Sequence, residues 1–156
     1  MHMSIDENKL KQAIMYRVKS DEIFSDLFKN TTDYTNSLAV HLALKYFKGV
    51  SCHNGSESYS FEANGKKYLI RSRILKDNSA LTLSVIRKID EFDVLVVIIF
   101  NKDYSTKEAF TITNEEAKKL CNGHKNAHEN GYKLSVGKRF REIAKPITHI
   151  GDLVNN

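Results

Sequence analysis

Apolar residues recur at helical spacing along the start of the chain, where Ile5, Leu10, Ile14 and Val18 are followed by Ile23, Phe24, Leu27 and Phe28. Ser4-Ile5-Asp6-Glu7 has the capping-box pattern, a hydroxyl that accepts a backbone N–H and a glutamate three residues on that reaches back. It predicts a helix through the first apolar group, and Ser20 predicts a second cap before the next. The polar stretch from Asn30 to Asn36 reads as a loop. From Ser37 the run LAVHLALKYF is apolar on most sides, which predicts a helix more buried than the first.

After VSCHNGSES the period changes from helical to alternating. Tyr59-Ser60-Phe61-Glu62 and Lys67-Tyr68-Leu69-Ile70-Arg71 flank Asn64-Gly65, a pair that tolerates the positive φ angles of a hairpin turn, so two antiparallel strands are expected. Ser79 predicts a short helix carrying Leu81, Leu83, Val85 and Ile86. The run from Asp93 to Phe100 has no alternation, the signature of a central strand covered on both faces. Asn101 to Ser105 is turn chemistry, Ala109 to Ile112 a neighbouring strand, and Thr113-Asn114-Glu115-Glu116 a second capping box for a helix ending near Cys121. The remainder is weakly patterned. Together these predict one α/β domain over residues 4–156, a mixed central sheet of about four strands flanked by helices. Met1-His2-Met3 reads as a remnant ahead of a second start methionine.

Length and charge narrow this picture. A chain of 156 residues buries one core without disulfide or metal staples. Its 24 Lys+Arg against 19 Asp+Glu give a net charge of +5, which favours an anionic partner. Cys52 and Cys121 are too few for a disulfide framework; free thiols in a reducing cytoplasm are expected. The apolar run Val94 to Phe100 is about a third of the roughly 20 residues that a membrane-spanning helix needs, so no membrane partner is expected.

The order of elements and the residues within it resemble the restriction-endonuclease-like superfamily, the PD-(D/E)XK nucleases, in small bacterial members. In these a strand with an acid, a Gly turn and a strand ending in a Lys-x-Arg-like element precede a Ser-rich helix. Next come phrases like Leu83-Ser84-Val85-Ile86-Arg87 and Phe92-Asp93-Val94-Leu95-Val96-Val97. The resemblance covers residues 37–113. It implies a restriction-endonuclease-like fold and a magnesium centre built from an acid on the first hairpin strand, then an acid or amide and a lysine two residues apart on the second. Laid on the Asn64-Gly65 turn, these positions fall on Ser60, Leu69 and Arg71, and an upstream helical glutamate falls near Val40 or His41. Leucine offers a hard cation no donor, and arginine is too basic to exchange a proton near neutral pH. The resemblance therefore implies a degenerate motif: a DNA-binding pseudoenzyme without metal or other cofactor, in a restriction, defence or mobile-element setting, with a homodimer also open. The alternative is a divergent magnesium-dependent endonuclease in which Glu62, on the face of Ser60, joins Asp90, Glu91 or Asp93, with Arg71 as its cation. The plain readings are a solvated strand carboxylate for Glu62 and a charged loop for the other three.

Cations are the main functional lead that the residues themselves supply. Lys66, Lys67, Arg71, Arg73, Lys76, Arg87 and Lys88 cluster in the chain, and alternation puts Lys67, Leu69, Arg71 and Arg73 on one strand face. Such a row repels itself unless an anion sits opposite. Neutralising about five phosphates gives a log–log salt slope near −4.5, ample for duplex DNA binding. Lys133, Lys138, Arg139, Arg141 and Lys145, with Tyr132 and Phe140, are the expected second wall of that groove. An edge strand guarded by cations against aggregation is the plain reading. A rival of another class is a protein-interaction module, an inhibitor or immunity partner, which predicts an exposed apolar patch. Cys121, His124 and His128, with Cys52-His53, are zinc-competent, but the Asn-Gly pairs beside them favour a buried thiol and surface histidines. His41 is expected as a hydrogen-bonded core histidine. Neither a Gly-rich phosphate loop nor a hydrolase Ser elbow occurs.

Overall fold

In the computed structural model, which describes residues 5–28, 33–51, 59–76, 81–121 and 131–151, the first helix is α1 (Glu7–Leu27). Its cap is Asp6, whose carboxylate accepts from the N–H groups of Asn8 and Lys9 at 3.0 and 3.2 Å. Ser4, the expected cap, lies outside the described residues. Ser20 does not restart the helix. A serine costs a helix interior only about 0.5 kcal/mol, and no Gly or Pro breaks the run, so 21 residues form one element. None of its residues is buried. Its C-terminal end is tied down where Phe24 stacks on Tyr34 with ring centroids 4.8 Å apart.

The second helix, α2 (Tyr34–Phe47), is capped by Asp33, which accepts from the Asn36 N–H at 3.0 Å. It buries Ala39, Leu42 and Ala43, and so is the more buried helix, as its composition predicts. His41 is not a core residue. At about 100° per residue it points away from the side that carries Ala39, Leu42 and Ala43, and it is exposed.

Next come β1 (Val50–Ser51), β2 (Phe61–Ala63) and β3 (Lys66–Ile74). Asn64 and Gly65 turn between the last two with φ of 52° and 74°, the two positive angles of a type I′ hairpin. Then follow β4 (Val94–Phe100), β5 (Thr106–Thr113), α3 (Asn114–Leu120), α4 (Lys138–Ile143) and β6 (Lys145–Pro146). The capping box of α3 forms in both directions: Thr113 N–H donates to the Glu116 carboxylate at 2.8 Å and Glu116 N–H to the Thr113 hydroxyl at 3.2 Å.

Among the described residues the strands make one mixed sheet of six, in the order β1-β2-β3-β4-β5-β6. The expected count was about four. The extra pair, β1 and β6, are edges of two residues each, too short to show a period. Only β3 and β4 run parallel, Leu69 beside Leu95 and Arg71 beside Val97. On one face α2 covers Tyr68, Ile70, Val96, Ile98 and Phe100. On the other, Leu69, Leu95, Val97, Phe110 and Ile112 pack under Leu83, Ile86, Leu134, Val136 and Phe140.

The crossover from β3 to β4 departs from the expected helix. Residues 77–80, with the predicted Ser79 cap, lie outside the described residues, and from Leu81 on the segment is extended. Leu83 N–H donates to Leu134 C=O at 2.9 Å, Val136 N–H to Leu81 C=O at 2.8 Å, and Ile86 and Tyr132 exchange both bonds. This two-stranded ribbon lies off the main sheet, and its alternation of Leu81, Leu83 and Val85 with Thr82 and Ser84 is a strand period. Gly131 lets the two lines close: a Cβ there would stand 2.1 Å from a Val85 methyl and 3.0 Å from the Ile86 carbonyl oxygen. Among the described residues no helix is long and apolar enough to cross a membrane.

Candidate nucleic-acid interface

Along β3 the predicted alternation holds. Tyr68 and Ile70 turn to α2, while Leu69 joins the opposite core together with the ribbon. Arg71 and Arg73 share the face of Leu69, and each reaches the ribbon's backbone. Arg71 Nη2 donates to Val85 C=O at 3.2 Å and its Nε to Ser84 C=O at 3.4 Å, while Arg73 Nε donates to Thr82 C=O at 2.7 Å. A carbonyl satisfies an N–H without neutralising the guanidinium. The arginines thus hold the crossover in place and remain cations, and no carboxylate among the described residues pairs with Arg73.

At the C-terminal end of β3 these elements enclose a cleft of about 430 Å³. Asp33 and Thr35 come from the start of α2, Ser72, Arg73 and Lys76 from β3 and its exit, and Thr82 and Ser84 from the crossover. Ser72 Oγ donates to Asn36 Oδ1 at 3.4 Å, joining the two walls. The Asp33 carboxylate in the cleft accepts from the Asn36 N–H. Two cations and several hydroxyls thus share the cleft with the Asp33 carboxylate, which caps the positive end of the α2 dipole. Sequence reasoning placed Arg73 and Lys76 but missed Thr35, Ser72, Thr82 and Ser84, which come from three separate segments and carry no shared motif.

The opposite end of β3 has different chemistry. Glu62 lies beside Lys67 in register, its carboxylate accepting from the Tyr59 hydroxyl at 3.1 Å, and the Lys67 ammonium sits 5.2 Å from the centre of the Tyr59 ring. A cavity of about 410 Å³ is lined by Tyr59, Lys67, Asp90, Glu91 and Asp93. Each acid is already engaged. Asp93 Oδ2 accepts the Lys67 N–H at 2.8 Å, Asp90 pairs with Lys118, and Glu91 lies 3.8 Å from Lys88. Burial and the Asp93 carboxylate hold the Tyr68 phenol above its ordinary range.

The positions that the resemblance assigns to a magnesium centre do not fit one. Ser60 Oγ accepts from the Ile70 N–H at 3.1 Å, Leu69 is 3% exposed inside the core, and Arg71 is bound to the ribbon. Among the described residues no three His, Cys, Asp or Glu side chains form a set able to hold a metal ion. Neither the cleft at the C-terminal end of β3 nor the cavity at its other end is lined by Ser60, Glu62, Leu69 or Arg71.

The second group of cations does not form the expected wall. Phe140 is buried at 1% exposure, Tyr132 packs against the core, and Arg141 is met by Glu108, whose carboxylate accepts from Nη2 at 2.7 Å and Nε at 3.2 Å. That carboxylate pushes the Arg141 guanidinium pKa up. Arg139 donates to Lys119 C=O at 3.4 Å, and Lys138 stands exposed, as do Lys66, Lys67 and Arg87 near the crossover. Lys67 and Arg73 are six residues apart on one strand, so the cations span about 20 Å rather than lining one trough. Cys121 is a free, buried thiol that donates to Lys133 C=O at 3.2 Å, and burial raises its pKa. Cys52, His53, His124 and His128 lie outside the described residues.

Fold and cleft define an α/β protein whose mixed sheet carries a cationic cleft at the end of a central strand. No model of a known protein family matches this chain, and no curated protein matches it either.

Proposed function

We propose that the chain is a DNA-binding protein of restriction-endonuclease-like fold that grips duplex phosphates and carries out no metal-dependent cleavage. The observation that carries this reading is Arg73, a guanidinium with no carboxylate partner among the described residues, at a cleft it shares with Lys76 and the start of α2. The remaining N–H groups of Arg73 are suited to a phosphate oxygen pair, and Thr35, Thr82 and Ser84 supply hydroxyl donors around it. Lys66, Lys67 and Arg87 extend the positive surface away from the cleft, whereas Arg141 contributes least because Glu108 already neutralises it.

Fluorescence anisotropy with a labelled duplex tests this. The chain should bind with an affinity that falls steeply with salt, and Arg73→Glu combined with Lys76→Glu should weaken it by at least about tenfold and flatten the salt slope by about 2. Equal affinity in the double variant sinks the cleft as the contact surface. Incubation with supercoiled plasmid and Mg²⁺ or Mn²⁺ should leave the plasmid intact, and nicking abolished by Glu62→Ala would overturn the inactive reading. The exposed apolar residues of α1 favour a second reading, a protein-binding module, which predicts no salt-sensitive affinity for duplex.

A further inference from the structure

Of the ten large apolar side chains left exposed among the described residues, eight lie between Ile5 and Leu27. From Ile5 to Lys19 every residue is exposed, so the first 13 residues of α1 are covered on no side. A free helix of that length is marginal in water even with favourable composition. Several features point to what covers it.

The first is charge. Glu7 to Lys19 holds Lys9, Lys11, Arg17 and Lys19 against the single carboxylate of Glu7, whereas Ser20 to Leu27 holds Asp21, Glu22 and Asp26 with no cation. A second α1 running the opposite way sets each half against its complement. The second feature is spacing. Leu10, Ile14, Arg17, Asp21, Phe24 and Phe28 recur at alternating steps of four and three, one helix stripe that reads the same in both directions about Lys19. Antiparallel pairing about that point puts Leu10 against Phe28, Ile14 against Phe24, and Arg17 against Asp21. Arg17 and Asp21 already pair within one helix at 3.2 Å, so two copies bring four such charges together. The third is a receiving surface. Leu27 and Phe28 form with Val40, His41 and Leu44 of α2 a groove of about 380 Å³.

We propose that a second copy of this chain covers α1. The two α1 helices pair antiparallel, and the basic half of each, led by Leu10, Ile14 and Val18, lies along the groove between the acidic half of its partner and that partner's α2. The pairing is independent of the DNA-binding reading, since none of its residues lines the cationic cleft.

Sedimentation velocity on the full chain across the micromolar range tests it. The wild-type chain is expected to be a dimer, and Ile14→Glu a monomer. Ile14 is exposed in the single chain, so the sheet domain should keep its thermal transition. Lys9→Glu with Lys11→Glu should weaken the dimer, and adding Glu22→Lys and Asp26→Lys to that variant should restore it. A wild-type chain that stays monomeric overturns the proposal. So does a dimer that Ile14→Glu leaves intact, or one that the charge exchange fails to restore.

Discussion

The two faces of β3 part company halfway along the strand. Toward α2, Tyr68 and Ile70 are buried and stay in one apolar cluster with Val96, Ile98 and Phe100. Toward the crossover, Leu69 is buried, but the next two positions on that face are Arg71 and Arg73, which meet a ribbon of backbone rather than side chains. One face is held by the hydrophobic effect, which needs only apolar area. Beyond Leu69 the other adds directional donors on carbonyls, and it brings Arg73 to the rim of a cleft. A strand can therefore serve as core and as binding surface at once, provided that the switch falls where the covering element changes from packed side chains to main chain.

Breaking the dry face should cost most. Ile70→Ala removes a fully buried side chain and should lower stability by about 2–5 kcal/mol in urea unfolding. Gly131→Ala tests whether the ribbon must close over the arginines. The added methyl meets Val85 and the Ile86 carbonyl, and a loss of about 1–3 kcal/mol is expected; no loss would mean that the ribbon yields freely. The smallest effect belongs to Arg71→Met, which takes donors from Ser84, Val85 and Ile70 carbonyls and should cost about 1 kcal/mol, seen as faster amide exchange at Leu83 and Ile86. Arg71→Lys should recover only part of this, since an ammonium lacks the fork that spans several carbonyls. If Arg71→Met proves costlier than Ile70→Ala, the contrast between the faces is wrong.

What could be read in advance was local. Asn64-Gly65 fixes its turn by its own φ angles, Thr113 and Glu116 cap α3 within four residues, and Val94 to Phe100 announces its burial by lacking any polar position. The misreadings concern partners far along the chain. Leu81 to Ile86 fits a short helix or a strand equally well, and Tyr132 to Val136, some 50 residues on, decides it by supplying the hydrogen bonds. For the same reason the cleft was half legible: its cations stand in one strand, but its hydroxyls arrive from α2 and the ribbon. The apolar spacing of α1 predicts a helix correctly, yet says nothing of whether its own chain buries it.

Because spatial neighbours in the sheet are also successive in the chain, each strand emerging from the ribosome meets a partner that has already been made. The junction of β3 with β4 is not a hairpin in that sequence, since Tyr68 must wait for Val94 and the intervening loop has to close before the pairing gives anything back. Until then β3 offers the nascent chain's surroundings an open hydrogen-bonding margin, and the lysines and arginines along it keep other nascent chains from adding there.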